Sequence, residues 1–259
     1  MGKRTRDRQL AKLAAQRRAQ RERERRRRRA AILTGVGIGV VAIAVVVLAF
    51  FVGGDDPSPS AAASPSASPS PVPEQAACGA KPPPSAGEPK PSFPEPPAMR
   101  IDPKATYTAT MRTSCGTIEL ELDADGAPTT VNSFVFLARE GYYDGLTFHR
   151  IVPGFVIQGG DPAGDGTGGP GYQFENEQAR GETFDGAGVL AMANSGPDTN
   201  GSQFFITLAK SDALTPDLYT IFGRVRDGQR AVDEIAAVPL EGETPVDPVY
   251  IESVKISES

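Results

Sequence analysis

Two blocks of this sequence, residues 148–161 and 192–206, constrain the fold more than any other feature. Each block mixes apolar, aromatic and polar side chains in short segments bounded by glycine, the pattern of β-strands joined by tight turns. Together the blocks contain one arginine, Arg150, and two glutamines, Gln158 and Gln203. A few polar groups among apolar ones suit a groove that grips an extended peptide.

The sequence from Thr106 onwards predicts a mainly β domain with two helices, because short alternating segments are separated by turn residues. Strands are predicted at 106–113, 116–122, 147–151, 156–159, 189–193, 204–208, 220–225 and 249–256, and helices at 128–140 and 229–237. Many short strands within one unit favour a closed β-barrel or a sandwich.

The charge is divided unevenly along the chain. Residues 1–30 carry 14 Lys/Arg and 3 Asp/Glu, whereas the remainder carries 13 and 29, so the net charge of −5 conceals a strongly basic N-terminus. Residues 30–52 contain no charged side chain. A helix of that length spans about 34 Å, enough for a hydrocarbon core of about 30 Å. A cleaved signal peptide is the alternative, although its apolar stretch is usually only about 7–15 residues.

These features divide the chain into four parts: a basic cytoplasmic tail (1–29), a transmembrane helix (30–53), a Pro/Ser/Ala-rich disordered linker (54–100) and a folded domain (101–259). Arginines directly before the apolar segment predict a single-pass cell-membrane protein whose folded domain is extracytoplasmic. The linker is predicted to be disordered because 14 of the 24 prolines fall within residues 55–100. The basic tail lacks aromatic residues to stack on bases, which favours lipid headgroups over nucleic acid as its partner.

The cysteines and the single histidine are few enough to consider one by one. This topology places Cys78 and Cys115 in an oxidising compartment, so they are a candidate disulfide, with two independent thiols as the alternative. His149 is expected to be structural, because strand alternation puts it on the face opposite Arg150. One histidine and two distant cysteines are too few for a typical zinc site, so no metal is expected.

The two blocks are similar to those of the cyclophilin family of peptidyl-prolyl cis-trans isomerases. Gly166-Thr167-Gly168-Gly169, the run 190–194 and Phe222-Gly223 extend the likeness in the same order, and it covers about Thr106 to Ser257. The resemblance implies a closed eight-stranded antiparallel barrel capped by two helices, with the site on an outer groove. It implies neither a cofactor nor a metal.

The resemblance also assigns residues to the site. Arg150 is the implied catalytic arginine, with Phe155 and Gln158 beside it. The implied peptide-binding positions are Val156, Gly166, Ala193, Asn194, Ser195, Gln203, Phe205, Leu214 and Tyr219. Two positions depart from the family pattern: Ala213 stands where an aromatic residue is frequent, which puts cyclosporin sensitivity in doubt, and Tyr219 stands in place of the usual pocket histidine.

The function expected from this combination is a monomeric, membrane-anchored isomerase that accelerates X-Pro bond rotation in exported proteins as they fold. The substrates would be proline-containing polypeptides. Two alternatives stay open: a proline-peptide binding module with little turnover, which Ala213 and Tyr219 would support, and a general holdase chaperone. Turnover separates the enzyme from the binding module, and dependence on Arg150 separates it from the holdase.

Overall fold

The computed structural model describes residues 73–178 and 181–259. The predicted basic tail at 1–29 and membrane helix at 30–53 lie outside these residues, as does the first part of the predicted linker, 54–72. Within the described ranges, no helix combines the length and the apolar character needed to cross a bilayer.

The described residues form ten strands and two α-helices, so the prediction of a mainly β domain with two helices is confirmed. Strands β1 to β5 span Tyr107–Thr113, Gly116–Leu122, Arg150–Val152, Val156–Gly159 and Val189–Met192. Strands β6 to β10 span Phe204–Thr207, Ile221–Asp227, Leu240–Glu241, Thr244–Pro245 and Ile251–Glu258. Helices α1 and α2 span Pro128–Arg139 and Gln229–Ala236.

The prediction of a closed barrel is wrong, because the eight-stranded antiparallel sheet is open. Its order is β10-β1-β2-β7-β5-β6-β4-β3, and no ladder joins β3 to β10 at its two ends. The segment just before β3 meets the start of β10 through an isolated bridge between Thr147 and Tyr250 and through three backbone hydrogen bonds between residues 145–148 and 249–251. The free edge of β3 instead meets the β8–β9 hairpin, where the Ile151 N–H donates to the Glu243 carbonyl at 2.7 Å. Because β4 occupies one edge of the three-residue β3 and the hairpin occupies the other, β3 has no free edge for a ladder to β10.

Strand register separates an inner apolar face from an outer face that carries the site. Ile157 of β4 lies opposite Ile151 of β3 and Ile206 of β6, and all three are buried in the main core. The alternate position on β4, Gln158, lies opposite Arg150 and Phe205. Because successive side chains point to opposite faces, one strand supplies both the core and the site.

Helix α1 closes the main core against the inner face. The ring centroid of Phe134 lies 5.0 to 6.0 Å from those of Tyr143, Phe204 and Phe222. The helix begins at Pro128 without a side-chain cap from Ala127. Its first N–H groups need acceptors, which the distant Glu177 carboxylate supplies.

Residues 73–100, which we call the N-terminal strap, differ from the predicted disordered linker. The strap begins near a short 3-10 helix, Ala77–Gly79, whose Cys78 forms a disulfide with Cys115 in the β1–β2 turn. Ala77 is buried, and its N–H donates to the Pro248 carbonyl at 3.0 Å. Proline-rich sequence cannot build a core of its own, but here it packs on a core that the domain already provides.

The rest of the strap crosses helix α1. Asn132 of α1 donates to the carbonyls of Pro97 and Ala98 at 3.2 and 3.1 Å, and its own carbonyl accepts the Arg100 N–H. The Phe93 ring packs edge-on against Phe136, with centroids 4.9 Å apart. These contacts satisfy backbone groups that proline-rich chains otherwise leave to water.

Candidate active site

A chain of side-chain hydrogen bonds crosses the outer face of β3 and β4 and reaches Gln203, the residue before β6. Arg150 Nη1 donates to Gln158 Oε1 at 3.3 Å, and Gln158 Nε2 donates to Gln203 Oε1 at 3.0 Å. On its other side, Arg150 Nε donates to Glu243 Oε2 at 2.6 Å. The Arg150 guanidinium is therefore held from two directions.

Gln203 links this chain to a glycine-rich loop. Its Nε2 donates to the carbonyls of Gly166 and Gly168 at 3.1 and 2.9 Å. The loop takes its shape from the buried Asp161, whose carboxylate accepts N–H groups from Ala163, Asp165 and Gly166. A Cβ on Gly168 would lie 2.2 Å from Asp161 Oδ1, so the loop closes this tightly only with glycine there.

The loop and the segment 193–203 enclose a groove of about 750 Å³. Six of the residues predicted to form the site line it: Gln158, Gly166, Ala193, Asn194, Ser195 and Gln203. Tyr172 also lines the groove, and its hydroxyl shares a 2.8 Å hydrogen bond with Ser133. Burial raises the pKa of the Tyr172 hydroxyl still further above neutral pH, so this side chain is a neutral part of the groove wall.

An apolar region adjoins this polar groove, and Ala193 belongs to both. It belongs to a second cluster, separate from the main core, that we call the outer apolar cluster: Val156, Phe184, Val189, Ala191, Phe205, Leu214 and Ile221. The predicted site residues Phe155 and Tyr219 are half-buried and pack against it. An aliphatic or aromatic patch beside hydrogen-bonding groups can hold a proline ring next to a bound peptide backbone.

Tyr219 contributes its ring to this patch. The ring meets Phe205 edge-on with centroids 5.5 Å apart. The preceding residue, Leu218, is fixed through its carbonyl, which accepts the Asn194 side-chain amide at 2.7 Å. Ala213 is exposed and presents no ring at the edge of the patch.

His149 is buried, and neither ring nitrogen has a hydrogen-bond partner among the described residues. Desolvation by burial lowers its pKa, which Asp161 opposes and the positive charge of Arg150 reinforces. A neutral imidazole without polar partners fits the structural role expected from the sequence. In residues 73–178 and 181–259, no group of three or more His, Cys, Asp or Glu side chains is placed to hold a metal ion.

Two residues of the site were missed by the sequence analysis. Glu243 lies 93 positions from Arg150, in a hairpin too short to show periodicity. Asp161 ends the first sequence block, where a carboxylate before Pro162 and several glycines could have indicated a loop organised around it.

Comparison with protein families identifies the fold and the enzyme class. Residues 108–256, more than half of the 259-residue chain, match the family described as cyclophilin type peptidyl-prolyl cis-trans isomerase/CLD. The chain belongs to the cyclophilin family. It is a peptidyl-prolyl cis-trans isomerase, as the names of its relatives and structural neighbours agree.

Relatives of this cyclophilin come from bacteria and eukaryotes. Peptidyl-prolyl cis-trans isomerase A of Mycobacterium tuberculosis is 47% identical over 173 residues, covering 60% of this chain and 94% of the relative. Human peptidyl-prolyl cis-trans isomerase-like 1 is 52% identical over 145 residues, covering 54% of this chain and 87% of the relative. Both matches cover little more than half of this chain, in keeping with the single isomerase domain.

Solved structures show the same fold. A cyclophilin type peptidyl-prolyl cis-trans isomerase of Cryptosporidium parvum is 34% identical, with a TM-score of 0.56, and the match covers 59% of this chain and 98% of that one. The same protein in the presence of the dipeptide Ala-Pro matches at 35% identity and a TM-score of 0.56, covering 58% of this chain and 98% of that one.

Proposed function

We propose that Arg150 accelerates X-Pro rotation by donating hydrogen bonds to the twisted amide, while Phe155, Val156, Phe205, Leu214 and Tyr219 hold the proline ring. The observation that carries this proposal is the hydrogen-bonded chain from Arg150 through Gln158 to Gln203, which runs beside the outer apolar cluster. Asn194, Ala193, Ser195 and Gly166 would then contact the peptide backbone along the groove.

The physical task is to lower a rotational barrier of about 20 kcal/mol, which exists because resonance makes the peptide C–N bond partly double. A guanidinium directed at the prolyl nitrogen or the carbonyl favours the twisted state, in which that resonance is lost. Each tenfold acceleration requires about 1.4 kcal/mol, so a single charged donor held in place has a large effect.

The test measures isomerisation of a proline-containing peptide by the full chain and by Arg150→Ala. The matched control is Arg226→Ala, because Arg226 is an exposed arginine on β7, away from the groove. We expect the Arg150 variant to lose at least about 90% of kcat/KM and the control to lose little. An Arg150 variant as active as the control would contradict this role.

We propose further that residues 30–53 anchor the enzyme in the cell membrane and that its domain acts outside it on exported proteins. The charge-free segment at 30–52 behind an arginine run supports this topology, as does the disulfide between Cys78 and Cys115. Protease added to intact cells or spheroplasts should digest the domain of a full-length, membrane-pelleting protein. A domain that resists the protease until the cells are lysed would contradict the proposal.

A further inference from the structure

The backbone position of Glu243 is set by the β8–β9 hairpin. It lies with Gly242 in the two-residue turn between β8 and β9, whose flanking residues Glu241 and Thr244 pair. Gly242 has a φ of +67°, which places the left-handed residue first in the turn, as in the Gly-X turns of tight hairpins. A turn of this length leaves the Glu243 backbone little freedom.

The hairpin is fixed to the strand that carries Arg150. The Glu243 carbonyl accepts the N–H of Ile151, the residue next to Arg150, at 2.7 Å. The Glu243 carboxylate accepts Arg150 Nε at 2.6 Å. One residue therefore contacts β3 through both its backbone and its side chain.

From this geometry we propose that Glu243 is a positioning residue for catalysis: it fixes the Arg150 guanidinium at the end of the hydrogen-bonded chain that runs through Gln158 to the groove. The inference rests on the proposed catalytic role of Arg150. Arginine carries five N–H donors in a rigid plane. Among the described residues, Glu243 engages Nε and Gln158 engages Nη1. Two contacts from different sides fix the plane and leave the remaining donors for a substrate amide.

The ion pair acts on orientation more than on the stability of the fold. The side chains of Arg150 and Glu243 are 38% and 54% exposed, and ion pairs this exposed contribute little to folding. Orientation, in contrast, affects the rate directly, because a small displacement of a reacting group lowers catalysis strongly. The carboxylate also offsets part of the Arg150 charge, so its removal would raise activity if charge mattered more than orientation.

The test compares kcat and KM of the full chain with Glu243→Ala and Glu243→Gln, using Glu241→Ala as the matched control. Glu241 is an exposed carboxylate in the same hairpin. We expect Glu243→Ala to lower kcat about fivefold with KM changed less than about twofold. Glu243→Gln should restore most of the rate, because its amide oxygen can still accept from Arg150 Nε. Glu241→Ala should match the parent, and all variants should unfold at the same temperature.

A second comparison uses Arg150→Ala and the double variant with Glu243→Ala. If Glu243 acts through Arg150, the two should have equal residual activity. A further loss in the double variant would mean a structural role and overturn the inference, as would a Glu243→Ala protein with unchanged or raised kcat. An Arg150→Ala enzyme of full activity would instead overturn the proposed function, so the two failures are distinguishable.

Discussion

At the scale of the residue, His149 couples the fold to pH. It is the only histidine in the sequence and is buried beside Arg150 without a hydrogen-bond partner among the described residues. Because burial lowers its folded-state pKa, the unfolded chain binds a proton at a higher pH than the folded chain does. The stability that depends on neutral His149 is therefore fully present above the unfolded pKa of about 6.5 and declines as the pH falls below it.

We predict that the free energy of unfolding falls between about pH 7.5 and pH 5.5 more steeply in the parent than in His149→Gln. Carboxylates titrate in both proteins, so the difference between the two curves isolates the imidazole. Urea unfolding at several pH values measures it, and proton NMR of the single imidazole gives the folded-state pKa directly. Parallel curves, or a folded-state pKa above 6.5, would contradict the prediction.

The identity of the outer-face residues could be predicted from the sequence, but one of their contacts could not. The family resemblance singles out Arg150 and Gln158, and the strand register places them opposite each other. Glu243 reaches Arg150 across 93 positions through a hairpin of two-residue strands. Segments so short carry no detectable period, and only tertiary structure brings that carboxylate to the guanidinium.

At the scale of the element, helix α1 depends on a carboxylate from a distant loop. Glu177 accepts the N–H groups of Thr129 and Thr130 at 2.9 and 2.7 Å, and also the Thr130 hydroxyl at 2.7 Å. A negative charge here satisfies the free N–H groups and complements the helix dipole. The same loop continues from Tyr172 in the groove wall, so the cap joins α1 to the site.

We predict that Glu177→Ala lowers the free energy of unfolding by about 1–2 kcal/mol, because it removes a charged cap from a helix that has no other. Glu175→Ala is the matched control, since that side chain is exposed two residues away. Chemical denaturation of both variants tests the prediction. Equal free energies of unfolding for Glu177→Ala and Glu175→Ala would show that water replaces the cap with no loss of stability.

The elements themselves could be predicted more readily than their arrangement. The expected helix at 128–140 differs by one residue from the observed Pro128–Arg139. Barrel closure failed as a prediction because alternation reveals which face is buried but not which edges pair. That choice was decided by the β8–β9 hairpin, which occupies the edge of β3.

At the scale of the whole domain, the N-terminal strap connects the disulfide, helix α1 and the groove. The Phe93 N–H donates to the Pro170 carbonyl at 2.8 Å, and Pro170 and Gly171 belong to the groove wall. Composition alone predicted disorder here, because proline-rich segments lack the apolar area to fold independently. Docking requires only a few anchors, and Cys78, Phe93 and the partners of Asn132 supply them.

We predict that reduction of the Cys78–Cys115 disulfide lowers the free energy of unfolding of a chain starting at residue 73 by about 2–4 kcal/mol. The cross-link joins residues 37 positions apart, so reduction frees a long loop in the unfolded state. A chain starting at residue 101 retains only Cys115 and loses the buried Ala77. We expect its free energy of unfolding to be lower and to be the same with and without reductant. If reduction leaves the longer chain unchanged, the strap is held by its packing, and Phe93→Ala should then destabilise it more than the loss of the disulfide does.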